Sequence, residues 1–125
     1  MLTHLHTLDY VILLCEDFSR MKSFYHEILG LPIERDWEDW IEMRAGAVLL
    51  TLRRRGRPHD GPRSPGAACL QLAFRVAPAD VEACYRELLQ EQVEILEPPR
   101  DHEYGHRTLF FKDPEGNILE IYADI

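Results

Sequence analysis

The sequence predicts an α+β chain in which one β-α-β-β-β unit is used twice, and three observations carry that expectation. Apolar runs recur in the same order, a strand-like run, a helical run and then short strand-like runs, on either side of a central Gly/Pro-rich stretch. Laying Tyr10-Val-Ile-Leu-Leu-Cys15 over Gln71-Leu-Ala-Phe-Arg-Val76 aligns the first strand of each copy, and Thr51 then falls opposite Glu120. A length of 125 residues, 46% of them hydrophobic, suits one ordinary domain. Such a domain buries roughly two-thirds of its unfolded surface without needing disulfides. The expected organisation is a single domain over 1–125, with a first module at about 6–54, a linker at 55–67 and a second module at about 68–125.

In the first module, residues 8–15 form an apolar run bounded by acidic turn residues and read as a buried strand. Asp17 or Ser19 can cap the helix that follows. There Phe18, Met21, Phe24/Tyr25 and Ile28/Leu29 recur at three- and four-residue steps, and Gly30 ends the run. Lys22, His26 and Glu27 fall on its wet side. Residues 33–37, 40–44 and 47–54 read as strands, the last two joined by a turn around Gly46. In the second module, 69–76 reads as a strand. Pro78 opens a helix with Val81, Cys84/Tyr85 and Leu88/Leu89 on one face, and 93–96 is a further strand. Strands at 108–112 and 118–123 flank Asp113-Pro-Glu-Gly-Asn117, a turn in which Pro fixes one dihedral and Gly or Asn takes positive φ.

Charge narrows the function. The chain has 14 Lys+Arg against 22 Asp+Glu, a net charge of -8. Residues 53–63 hold five Arg and one Asp, a local +4, which leaves -12 elsewhere. With three Pro and three Gly by residue 66, this basic stretch reads as a solvated connector, an anion contact being the alternative. The acidic remainder lacks the footprint of a nucleic-acid binder and favours neutral or cationic ligands. The apolar runs fall far short of the ~20 residues that span a bilayer. The start, Met-Leu-Thr-His-Leu-His, lacks the pattern of a secretory signal, so no membrane association and a cytoplasmic location are expected. Cys15, Cys69 and Cys84 lie in apolar patterns without CxxC spacing and read as reduced core thiols.

A sheet covered by a helix on one face leaves its other face and its edges open, so two such halves must pack or pair. Positions related by the duplication, Tyr10, Thr51, Gln71 and Glu120, are therefore expected to line one shared cleft. Glu120 lies between Leu119 and Ile121, where an inward carboxylate is costly unless paired, hydrated or bound to a metal. Trp37 and Trp40 flank Glu38-Asp39 and suit the wall of a site for a flat or cationic molecule, a dimer contact being the alternative. Residues 102–107 precede the seventh strand. There His106 is the candidate for proton transfer, and Arg107 is expected to pair with Glu120 or hold a ligand carboxylate. His4, His6, His26 and His59 have no ligand spacing and read as surface residues.

Three segments carry a family resemblance: the opening from Leu8 through Phe24-Tyr-His-Glu-Ile-Leu-Gly30 to Leu31, the strand Gln71-Leu-Ala-Phe-Arg-Val76, and the ending Phe111-Lys-Asp-Pro-Glu-Gly-Asn-Ile-Leu-Glu-Ile-Tyr122. Together they resemble the vicinal oxygen chelate superfamily, which includes glyoxalase I, extradiol dioxygenases, fosfomycin-modifying enzymes and bleomycin-binding proteins. The resemblance implies paired β-α-β-β-β modules forming a curved sheet around a cleft, often completed as a homodimer. In the enzymes it also implies a divalent metal, held by residues of a first strand and a last strand. Those positions are Tyr10, Thr51, Gln71 and Glu120 here, and the aromatic-Gly-x-Arg segment that often borders the cleft in the resembling proteins corresponds to Tyr104-Gly-His-Arg107, which implies a ligand-side place for Tyr104. Tyr10 and Thr51 depart from the enzyme pattern, because a phenol must lose a proton to coordinate well and a Thr is not the expected Glu. Gln71 and Glu120 remain as the metal ligands, for Zn, Ni, Mn or Fe, or for no metal at all. Two expectations follow. One is a homodimeric, metal-independent binder of a small hydrophobic, aromatic or cationic ligand. The other is a metal-dependent lyase, isomerase or dioxygenase in which Glu120, His106 and Tyr10 carry the chemistry.

Overall fold

A computed structural model describes residues 1–63 and 67–125. Ser64, Pro65 and Gly66 of the expected linker lie outside the described residues. The chain divides into two compact units, Met1–Pro62 and Arg63–Ile125. Each holds a four-stranded sheet and a helical connection, the α+β architecture of two β-α-β-β-β modules that the sequence predicts.

The first unit contains β1 (Tyr10–Cys15), α1 (Phe18–Ser23), β2 (Ile33–Trp37), β3 (Trp40–Ala45) and β4 (Val48–Arg54), in the sheet order β1-β4-β3-β2. Asp17 rather than Ser19 caps α1, its carboxylate accepting from the Arg20 N–H at 3.1 Å. The helix then widens into a π-helical turn, Phe24–Ile28, whose signature is the Leu29 N–H donating to the Phe24 carbonyl five residues back, at 3.0 Å. The adjacent rings of Phe24 and Tyr25 are both buried there, edge to face at 5.2 Å. Gly30 turns the chain with φ +74°. His26 is not the plain surface residue expected, because its Nδ1 lies 2.8 Å from the Leu31 carbonyl at the helix end. Leu13, Cys15, Phe18, Met21, Tyr25, Ile41, Met43, Leu50 and Leu52 form the core. Strand alternation sends Tyr10, Ile12 and Leu14 to the opposite, helix-free face.

The second unit contains β5 (Gln71–Arg75), α2 (Pro78–Gln90), β6 (Ile95–Asp101), β7 (His106–Lys112) and β8 (Ile118–Asp124), in the order β5-β8-β7-β6. Its core is Val81 and Leu88 of α2 with Leu109, Phe111, Leu119, Ile121 and Ala123. β6 runs well beyond the expected 93–96 and takes in Pro98 and Pro99. It lies at the sheet edge, where proline costs fewer ladder bonds, and its register shifts between Glu97 and Arg100. β7 begins earlier than expected, so His106 and Arg107 are strand residues rather than a preceding loop. β5 begins later, at Gln71, which leaves Cys69 exposed in the loop before it instead of in the core; Cys15 is buried and Cys84 half-buried.

The sheets match in register as well as in order. Ile12 pairs with Thr51 in the first, and Ala73, the residue aligned with Ile12, pairs with Glu120 in the second. Thr51 and Glu120 are thus equivalent positions.

The basic stretch after β4 differs from the solvated connector expected. Arg53 is buried and forms a two-pronged ion pair with Asp60, at 2.9 and 2.7 Å. The Asp60 side chain, 2% exposed, also accepts from the N–H groups of Gly56 and Arg57, both at 2.8 Å. The Arg53 guanidinium, helped by these backbone donors, holds the Asp60 carboxyl well below the usual carboxylate range. Arg54 pairs with Asp39 at 2.6 Å, Arg55 with Glu16 at 3.1 Å, and Arg63 donates to the Glu115 carbonyl at 2.9 Å. Four of the five guanidiniums that suggested an anion contact, those of Arg53, Arg54, Arg55 and Arg63, are engaged by the chain's own acceptors.

Candidate functional site

On the helix-free face of the first sheet, one row across the strands is Ile12 (β1), Thr51 (β4), Glu42 (β3) and Arg35 (β2). A neighbouring row carries Arg53, Trp40 and Trp37. The Tyr10 ring on β1 reaches diagonally toward Trp40 on β3, with centroids 6.4 Å apart, across the position of Thr51. Thr51 is fully buried there and donates its hydroxyl hydrogen to the Leu49 carbonyl at 3.2 Å. Tyr10 remains 42% exposed and Trp37 57%. Tyr10, Trp37 and Trp40, nominated from the sequence, therefore share one aromatic surface.

Glu42 is the residue that sequence reasoning missed. It is 4% exposed, with Oε2 accepting from Trp40 Nε1 at 2.9 Å and Oε1 only 3.7 Å from Arg35 Nε. The signal was present, because Glu42 sits between Ile41 and Met43 just as Glu120 sits between Leu119 and Ile121. An acid in an apolar strand alternation needs a partner wherever it points to a covered face.

In the second sheet, Gln71 and Glu120 do come together, the Gln71 amide donating to Glu120 Oε1 at 3.2 Å. That bond and partial exposure satisfy the carboxylate. His106 stands on the same helix-free face, but four strand residues from Phe110, the residue opposite Glu120. At ~3.3 Å per residue this places the two roughly 13 Å apart along the strands. His106 instead faces Asp124 at 3.3 Å and belongs to a row of rings running His102, Tyr104, His106 and Tyr122, with successive centroids 4.9, 5.3 and 4.9 Å apart. His102 Nε2 also lies 2.7 Å from the Thr108 hydroxyl.

Arg107 does not pair with Glu120. It alternates to the other side of β7, where it binds Asp101 at 2.6 and 3.1 Å and donates to the Pro78 carbonyl at 3.2 Å. Its guanidinium holds the Asp101 carboxyl below its ordinary value. One residue of strand parity therefore separates it from the face where Glu120 stands.

The divalent metal implied by the resemblance can be tested against these donors. Gln71 and Glu120 supply one neutral amide and one carboxylate, already bonded to each other. Tyr10 and Thr51 supply hydroxyl groups, and that of Thr51 is committed to a backbone carbonyl. Among the described residues no group of three or more His, Cys, Asp and Glu could hold a metal ion. The donor set does not fit a Zn, Ni, Mn or Fe site, which draws on several imidazole, thiolate or carboxylate ligands.

Comparisons with known proteins bear on the identity of the fold. The family described as Glyoxalase/Bleomycin resistance protein/Dioxygenase superfamily matches residues 7–121. YraH of Bacillus subtilis is 29% identical over 125 residues, covering 88% of this chain and 92% of its own. Glutathione transferase FosA of Serratia marcescens is 26% identical over 120 residues, covering 95% of this chain and 82% of its own. The crystal structure of a glyoxalase/bleomycin resistance protein/dioxygenase from Nocardioides superposes with a TM-score of 0.83 at 19% identity, over 99% of this chain and 87% of that one. With its duplicated sheets, their matched register and a family match spanning nearly its whole length, the chain belongs to the Glyoxalase/Bleomycin resistance protein/Dioxygenase superfamily.

Proposed function

We propose that this protein is a metal-independent binder of a small planar ligand, apolar or cationic, and that it works as a homodimer. The observation that carries the reading is the aromatic surface of the first sheet: Trp37 exposed, Trp40 and Tyr10 beside it, and the buried acid Glu42 beneath. Exposed aromatic rings on a sheet face offer stacking worth about 0.5–1.5 kcal/mol per ring pair beyond the area they bury. Superfamily members are commonly dimeric and bind small ligands, and many use divalent metals. The donor set around Glu120 supports the metal-free branch of that range. FosA is by its name a glutathione transferase, so an activity on thiol-bearing substrates is the enzymatic reading to be weighed against binding.

Untagged protein, purified without chelators, tests the choice by elemental mass spectrometry. The expected result is no stoichiometric Zn, Ni, Mn or Fe. A full equivalent of metal that disappears in Glu120→Ala overturns the binder reading in favour of a metal-dependent enzyme. Trp37 and Trp40 are the two tryptophans of the chain, so quenching of intrinsic tryptophan fluorescence by planar probes reports directly on the proposed surface. Sedimentation showing a monomer at micromolar concentration would remove the dimer from the proposal.

A further inference from the structure

Of the arginines on the helix-free face of the first sheet, two are firmly held by carboxylates. Arg44 grips Glu34 at 2.8 and 2.9 Å, and Arg53 grips Asp60 at 2.9 and 2.7 Å. Arg35 is different. Its Nε is 3.7 Å from Glu42 Oε1, beyond hydrogen-bond distance, while its guanidinium carbon lies 5.6 Å from the centre of the Trp37 ring. Its side chain is largely exposed, whereas Glu42 is buried and anchored from the other side by Trp40 Nε1. An acid fixed by an indole N–H, with one oxygen loosely faced by a cation that also lies over an aromatic ring, is the arrangement a ligand's ammonium or amidinium would make.

We propose that Trp37, Trp40 and Glu42 form a subsite for a planar organic cation, occupied in the free protein by the chain's own Arg35, which the ligand displaces. Glu42 is then the specificity-determining residue, because a neutral ligand of the same shape gains the rings but not the carboxylate. This inference rests on the binder reading above and narrows its ligand to a cation. Arg35 can leave at little cost, since it gives up a long contact and returns to water. Glu42 cannot follow it, being held by Trp40.

The test compares two probes of nearly equal shape at pH 8 by titration calorimetry: N-methylacridinium, a permanent cation, and acridine, neutral at that pH. The wild type should bind the cation about tenfold more tightly, the scale of a partly desolvated cation–π contact with a charge partner. Glu42→Gln, which keeps an acceptor for Trp40 Nε1, should bring the two affinities together. Arg35→Ala, a change at an exposed side chain, should strengthen cation binding by removing the internal competitor. If acridine binds but Glu42→Gln keeps the cation preference, or Arg35→Ala weakens cation binding, the cation subsite is wrong while the planar-ligand reading stands. If neither probe binds the wild type, the reading of this face fails and the subsite with it.

Discussion

Replacing Trp40 by Phe tests whether the buried acid of the first sheet is held as described. Phe keeps an aromatic ring on β3 but removes the Nε1–H that donates to Glu42 Oε2 at 2.9 Å. Glu42, 4% exposed, would be left with Arg35 at 3.7 Å as its remaining side-chain partner among the described residues. A hydrogen bond to a charged group contributes about 1.5–3 kcal/mol, and its loss in a buried setting falls on the acid left behind. The smaller ring also gives up packing, so the single variant mixes two effects. A cycle separates them: Trp40→Phe, Glu42→Leu and the double variant, each unfolded in urea with fluorescence and circular dichroism followed together. The expected coupling energy is about 1.5–3 kcal/mol. With a urea slope near 2 kcal/mol/M, the single Trp40→Phe change should lower the midpoint by about 1 M. The double variant should recover part of this loss, because removing both partners of a buried polar pair costs less than removing one. A coupling energy below about 0.5 kcal/mol would refute the account of Glu42 as a buried acid anchored by Trp40, and would weaken the cation subsite built on it.

Three further outcomes are expected. Asp60→Ala should free the segment after β4 and speed trypsin cleavage after Arg55, on the order of tenfold, in limited proteolysis. In the wild type the folded Asp60 carboxyl is held below its unfolded value by Arg53 and the Gly56 N–H. This tether is therefore fully present above the ordinary carboxylate range and is lost as pH falls below about 4 toward the folded value, a window that hydrogen exchange of Gly56 and Arg57 can follow. Phe111→Ala, at a fully buried site, should destabilise the second unit by about 3–5 kcal/mol in denaturant unfolding, and a loss under 1 kcal/mol would contradict the core assignment. In alkylation at pH 8 followed by mass spectrometry, exposed Cys69 should react before Cys84, whose thiol is pushed up by burial and then by Glu87 and Asp80. Faster labelling of Cys84 would contradict its half-buried placement.

Part of the candidate site is legible in the sequence, and the rest is not, for identifiable reasons. Tyr10, Trp37 and Trp40 were nominated as aromatic groups at aligned or edge positions, and one sheet face gathers them. Gln71 and Glu120 were nominated by the duplication, and they meet at 3.2 Å. Arg107 is expected from the sequence to pair with Glu120 or to hold a ligand carboxylate, yet strand parity carries its side chain to the helix side and to Asp101. Glu42 escaped because an acid two residues from a tryptophan looks like a solvated strand residue until the register places it beside buried Thr51. Asp60 escaped because one acid among five arginines reads as noise in a charge count, whereas its two oxygens match one guanidinium and two backbone donors.

The amino-acid sequence by itself determined the duplicated β-α-β-β-β pattern, the order of elements, the helix cap region and the Gly30 and Gly116 turns. These depend on periodicity and local backbone preference, which neighbouring residues set among themselves. Tertiary structure decided which charges find which partners: Arg53 with Asp60, Arg107 with Asp101, and Glu42 with Trp40. The reason is that Coulombic and hydrogen-bond partners are selected by distances of a few ångströms and by the parity of each strand. A shift of one residue in register reverses the face and changes the partner without altering the pattern that predicts the strand.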